Sequence, residues 1–420
     1  MKLTSIRKLV ALATIGAAVS ASAQTAVTLN NATLWQDPQT RVVEVTYELT
    51  GPAPVLITLG IETNGIPIPA PVTLIGDVTT TQNPAAVEPD NAPKKIYWNA
   101  KQDWPGNLTD DARATVTAWF TNDPPESVFG YVVVDLSAGP SAPSYPVRYS
   151  GTPPDLGDDT CRTTELWLRR IPAGVFQMGS PSGELGGASN EDLHIVTLTK
   201  HFYIGVFPVT QRQYQLVRNV TPSGNQGDMR PVESLTYNAI RGAGSDWPAN
   251  NQVDSNTFMG NLRARTGLTF DLPTEAQWEY ACRAGTMTSL NSGKNITVAS
   301  GTCLNMAEVG RYYSNNGYNT AFWDGKGGYE KTSEVGAYLP NAWGLYDMHG
   351  NVREWCLDRY VANLGTAPVT DPVGGTTETV FVQRGGSWGR QPSQCRSASR
   401  DSGARTQTAN SLGFRACIQP

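Results

Sequence analysis

Asn341-Ala-Trp-Gly-Leu-Tyr-Asp-Met-His-Gly-Asn-Val-Arg-Glu-Trp355 is the stretch that decides how the larger part of this chain folds. It has neither the 3.6-residue period of an amphipathic helix nor the alternation of a half-buried strand. The same character, rich in Gly, Trp, Tyr and Asn, runs from Cys161 to the C-terminus. Two segments break it. Thr274 to Arg283 reads as a helix, because Pro273-Thr274-Glu275 resembles a helix start with an acid in the first turn. Thr210 to Val217 reads as a second, with Thr210 as its N-cap. Across 420 residues, Gly 41 and Pro 29 with 39% hydrophobic and 16% charged residues fit a turn-rich chain of two or three domains. A net charge of -5 lacks the basic footprint of a nucleic-acid binder, so that partner class is excluded.

Further motifs surround the opening one. They are Ile171-Pro-Ala-Gly-Val-Phe-Gln-Met-Gly-Ser180, Phe202-Tyr-Ile-Gly-Val-Phe-Pro-Val-Thr210, Arg230-Pro-Val232, Leu272-Pro-Thr-Glu-Ala-Gln-Trp-Glu-Tyr280, Arg384-Gly-Gly-Ser-Trp388 and Leu412-Gly-Phe-Arg415. In this order, over about residues 163 to 420, they resemble the formylglycine-generating enzyme (sulfatase-modifying factor) family. The resemblance implies a compact α+β fold related to C-type lectins, with little regular secondary structure. Trp343, Trp355 and Trp388 are expected in its core.

The N-terminal third reads differently. Residues 1–23 have the form of a secretory signal peptide: Lys2, Arg7 and Lys8, then the apolar Leu9 to Val19, then Ala21-Ser22-Ala23 before a mature start at Gln24. No later segment approaches the roughly 20 apolar residues of a membrane span. The expectation is an exported protein, periplasmic, extracellular or at the cell surface. Residues 24–122 read as an all-β sandwich of immunoglobulin or fibronectin type, with runs at Val42 to Tyr47, Val55 to Ile61, Lys95 to Trp98 and Ala112 to Phe120. Asn64-Gly65 marks a hairpin turn. Residues 123–160 are broken by prolines and read as a connector, in which Tyr131 to Val134 could form one strand; the family-like domain then covers 161–420.

Export makes disulfides the default for Cys161, Cys282, Cys303, Cys356, Cys395 and Cys417, none of which has CxxC spacing. Six cysteines allow fifteen pairings, and Cys356 with Cys395 is the leading one. The resemblance puts the family's structural cysteine on Cys282 and that cysteine's partner position near Ser397, so this pair must be rewired, with Cys303 or Cys395 as the replacement.

The activity implied by the resemblance is oxidation of a sulfatase cysteine to formylglycine, with molecular oxygen and a copper ion held by two thiolates shortly after the Arg-Gly-Gly-Ser-aromatic motif. Soft thiolates select Cu(I). Here Gly389-Arg-Gln-Pro-Ser-Gln394 intervenes without a cysteine before Cys395, so copper is not expected unless Cys395 builds an unconventional site. A second branch, with non-haem iron on several histidines, needs more than His194, His201 and His349 provide, and its iron-binding helical domain is absent. Calcium is expected to survive: the family positions fall on Asp347 and Glu354 as side-chain ligands, with Gly350 and Val352 giving carbonyls. A second calcium position would use Asn305, Met306 and Tyr329, but its acidic ligand falls on Gly327, leaving Asp324 as a substitute. Arg384, Arg396, Arg400 and Arg415 either line a groove for an anion or form internal ion pairs. The leading expectation is a family scaffold that binds a peptide or glycan. The alternatives are the oxidase itself and a purely structural surface protein.

Overall fold

A computed structural model describes residues 10–15 and 28–419, apart from 38, 64–65, 69–72, 81–84, 91, 105–111, 122–124, 244–246, 318–323 and 327–330. The expected turn at Asn64-Gly65 and the cleavage position before Gln24 lie outside the described residues. The chain divides into two units, Met1–Phe129 and Gly130–Pro420.

The first unit is built from two four-stranded sheets. In the strand Val42–Thr50 every second residue is buried, so Val43, Val45, Tyr47 and Leu49 point to one face. Val55–Thr63 pairs antiparallel with Ala112–Phe120 in the other sheet, and its Val55, Ile57, Leu59 and Ile61 join the same core. Each such side chain contributes about 1.5–3 kcal/mol when fully buried. Val10–Ile15, within the expected leader, forms a strand beside Ala112–Phe120.

The second unit is rich in sheet and has few helices. Its largest sheet runs in the order Val147–Ser150, Tyr131–Asp135, Glu165–Ile171, Phe202–Gly205, Cys417–Ile418 and Phe270–Asp271, all pairs antiparallel. Part of the stretch read as a connector is therefore built into this sheet, and its prolines fall between strands rather than within them. A second sheet sets Arg400–Ala404, Val380–Arg384, Arg353–Arg359 and Leu412–Phe414 side by side.

Both expected helices are present. Gln211–Arg218 and Glu275–Arg283 each begin with a capping box, Thr210 with Gln213 and Thr274 with Gln277. Every residue of Glu275–Arg283 is buried, including two glutamates, so their charges need partners inside the protein. Glu275 takes both a 2.6 Å and a 2.8 Å bond from Arg400. Glu279 accepts from Arg384, from Arg283 Nε at 2.9 Å and from the Gly179 amide at 2.9 Å. Trp355 is fully enclosed, as expected, but Trp388 is only half-buried, its Nε1 donating to the Asn410 carbonyl at 3.1 Å. That hydrogen bond holds Trp388 at the rim, outside the core.

Asp358 accepts from the Glu275 amide at 2.7 Å, and burial followed by the Glu275 charge pushes its carboxyl up to about 8. A folded-state value above the unfolded one means that native protein keeps a proton the unfolded chain releases. Stability from this group is complete below about pH 4 and is lost as pH rises through 8, at no more than about 1.4 kcal/mol per pH unit. Asp347, raised to about 6, adds to the decline only up to that pH, and neutral His349, lowered to about 4 by burial, acts in the opposite direction below about 6.5. Urea unfolding between pH 6.5 and 8 should therefore show falling stability in the native sequence and a flatter profile in Asp358→Asn. Equal slopes would show that Asp358 is ionised when folded.

Candidate functional site

The opening motif folds as a loop pinned from several sides. Asn341 Oδ1 accepts from the Trp343 and Leu345 amides, while its Nδ2 donates to the carbonyls of Ala281 and Cys282. Gly350 has φ of 77°, and a Cβ there would lie 2.0 Å from the Arg311 carbonyl, which explains the glycine. The Asn291 amide donates to His349 Nε2 at 3.0 Å, so Nδ1 carries the proton and donates to the Cys395 carbonyl at 2.7 Å. His349 is thus a buried structural brace.

The expected calcium ligands are already committed. Glu354 Oε1 takes 2.9 Å from Arg415 Nη2, and Oε2 takes 2.8 Å from Trp278 Nε1 and 3.1 Å from Arg415 Nε. Arg415 is itself held by the carbonyls of Gly205, Val206 and Tyr346. Asp347 accepts from the Gly336 amide at 2.7 Å and from Asn351 at 3.3 Å. A divalent ion using Glu354 would have to displace a buried guanidinium, so Asp347, Gly350, Val352 and Glu354 do not fit a calcium site as folded. The second position is described only in part. Asn305 donates to the Asn295 carbonyl, the Met306 carbonyl accepts from the Gly310 amide, and Tyr329 and Gly327 lie outside the described residues. Asp324 is held by Tyr338 and Arg311.

All six cysteines are buried free thiols, so neither the Cys356–Cys395 pairing nor another is formed. Separation among cores accounts for the expected pairs: Cys356 and Cys282 lie in one cluster with Cys417, whereas Cys395 and Cys303 lie in another and Cys161 in a third. Cys282 Sγ lies 3.7 Å from Ser397 Oγ, so Ser397 occupies the position facing it, where the family resemblance puts the partner. Cys395 sits directly beneath Gly386, where a Cβ would come within 2.4 Å of its sulfur. Burial pushes the Cys395 thiol up to about 12. A site for Cu(I) needs two thiolates converging on one ion. The segment after Trp388 has one enclosed thiol, and this donor set does not fit copper.

Beside that segment lies a polar cleft of about 260 Å³. Arg396 and Arg400 line it but are internally paired, Arg396 with Glu184 and Glu191 and Arg400 with Glu275. Arg384 and Arg415 are likewise paired, with Glu279 and Glu354. Of the two sequence readings of these arginines, internal ion pairing is the one realised. The cleft's other charged residues, Arg353, Arg390 and Asp401, were not singled out from sequence. The sole available signal was that Arg353 precedes Glu354 in a strand and so points to the opposite face. Among the described residues no group of three or more His, Cys, Asp or Glu side chains is placed to hold a metal, and no helix is long and apolar enough to cross a membrane.

Residues 158–420 match the family model of the sulfatase-modifying factor enzyme 1-like domain. The chain is 26% identical over 287 residues to the formylglycine-generating enzyme of Mus musculus, covering 58% of this chain and 73% of that protein. It is 31% identical over 216 residues to a chaperone protein, LppX, of Paenibacillus barcinonensis, covering 46% and 71%. Among solved structures it is similar to PvdO from Pseudomonas aeruginosa, at 27% identity over 60% of this chain and 94% of that one, with a TM-score of 0.48. Treponema denticola variable protein 1 is similar at 26% identity over 61% and 96%, with a TM-score of 0.47.

The commitment of Glu354 to Arg415 and Trp278 has a thermal consequence. Adding calcium at about 1 mM to chelator-treated protein should move the unfolding temperature by less than about 1 °C. A rise of several degrees would mean that Glu354 leaves Arg415 for the ion.

Proposed function

The chain belongs to the sulfatase-modifying factor enzyme 1-like family through residues 158–420, and we propose that its second unit is a ligand-binding module, for a peptide or a glycan, that no longer oxidises cysteine. The observation that carries this reading is a family scaffold with one buried thiol, Cys395, where a convergent pair is needed. A thiol raised to about 12 supplies almost no thiolate at neutral pH, and the thiolate is the form that binds metal. Cys303 shares the apolar cluster with Cys395. Burial pushes its thiol up, but hydrogen bonds to the sulfur, chiefly from Thr297, outweigh this and leave it below its ordinary value. Both sulfurs are enclosed, and neither residue lines the cleft where a substrate would enter. The family's matched relatives carry names as different as an enzyme and a chaperone protein, so one scaffold serves more than one role.

Export belongs to the same proposal. The basic, apolar and small-residue order of residues 1–23 supports secretion with a mature start at Gln24. The first unit then acts as a spacer of immunoglobulin or fibronectin type, a reading supported by its two sheets sharing one core.

The test is mass spectrometry of a Cys-x-Pro-x-Arg peptide incubated with the purified chain, copper and oxygen, with an active formylglycine-generating enzyme alongside. No conversion is expected while the control turns over. Aldehyde formation would establish the oxidase reading and require a copper site built on Cys395.

A further inference from the structure

We propose that the cleft between Arg353 and Arg390 takes an acidic sugar, a hydroxylated ring carrying a carboxylate. The proposal rests on the binding-module reading and narrows its ligand.

Four guanidinium groups line the cleft. Arg400 is matched by Glu275, and Arg396 faces two carboxylates, Glu184 and Glu191, which leave one negative charge in excess on that side. The other two share one acid. Arg353 Nη1 lies 2.8 Å and Arg390 Nη2 lies 2.9 Å from the same Asp401 Oδ2. Two cations on one carboxylate leave this wall positive, and Arg390 acts on Arg353 as a like charge. Arg353 is buried, yet its Nε has no partner within the protein. A ligand carboxylate supplies the missing counter-charge and accepts from guanidinium donors.

The neutral groups specify the rest of the ligand. Gln383 is fully buried in the cleft wall; its Nε2 donates to Gln407 at 3.2 Å, and the other end of the amide, Oε1, has no protein partner. Asn190 behaves alike, with Nδ2 donating to the Tyr360 hydroxyl at 2.6 Å and Oδ1 unpartnered. Buried polar groups normally find a partner, so each of these ends is a place for one. A hydroxyl serves either orientation of an amide, because it both donates and accepts. The wall has no apolar side chain larger than Ala188, so it offers nothing to an aliphatic or aromatic peptide side chain. A volume of about 260 Å³ suits a single ring. Carboxylate, several hydroxyls and small size together describe a uronic acid.

Saturation-transfer NMR and calorimetry on the full chain test this with galacturonate, galactose and acetate. Galacturonate should bind with a dissociation constant on the order of 1 mM, and galactose and acetate at least about tenfold more weakly. Arg390 is partly exposed at the cleft rim, so Arg390→Gln should fold normally and weaken galacturonate about tenfold, while Arg390→Lys should stay within about threefold. Acetate binding as well as galacturonate would reduce the cleft to a plain anion site and overturn the proposal. Absence of galacturonate binding, or equal binding by Arg390→Gln, would overturn it too. Either result leaves the binding-module reading standing, since that reading falls only if the Cys-x-Pro-x-Arg peptide is oxidised.

Discussion

The buried glutamates of the helix Glu275–Arg283 are the constraint on which the second unit depends. An unpaired carboxylate in a protein interior costs several kcal/mol, so each must meet a guanidinium held in place. Glu279 meets Arg384 and Arg283, and Glu275 meets Arg400. Glu354 meets Arg415 in the same way, with Trp278 from the helix as a third member. The motifs at 272–280, 341–355, 384–388 and 412–415 are therefore the ends of the same ion pairs. Removing one partner from such a pair costs about 3–5 kcal/mol. This explains how long irregular loops are held in one arrangement with so little helix and strand around them.

These pairs hold the fold without help from the cysteines. None of them uses the thiol of Cys395, and Ser397 faces Cys282 with no covalent bond. Residues 389–401 can then change composition provided that Arg396 and Arg400 keep their acids. The cleft beside this segment is lined by hydrogen-bonding rather than apolar side chains.

Much of this was legible in the sequence, for identifiable reasons. Helix starts at Thr210 and Thr274 were readable because caps are local chemistry. The strands of the first unit were readable because alternation is local too. The family resemblance located the motifs but not their partners: the contact of Arg400 with Glu275 spans 125 positions, and no spacing rule reveals it. The same limit hides the partner of Glu354, since an acid in a Gly-rich loop looks free until Arg415 is seen against it. Tyr131–Asp135 was recognised as a possible strand, but its place in the large sheet came only from pairing with Glu165–Ile171. Arg353 and Arg390 went unnoticed because their significance lies in sharing Asp401.

On the proposed reading the second unit has no convergent pair of thiolates, and copper(I) affinity tests this. In competition with a strong colorimetric Cu(I) chelator under reducing, anaerobic conditions, the chain should retain no copper, with or without Cys395→Ser. Retention of one equivalent that disappears in Cys395→Ser would show a copper site on Cys395 and return the chain to the oxidases.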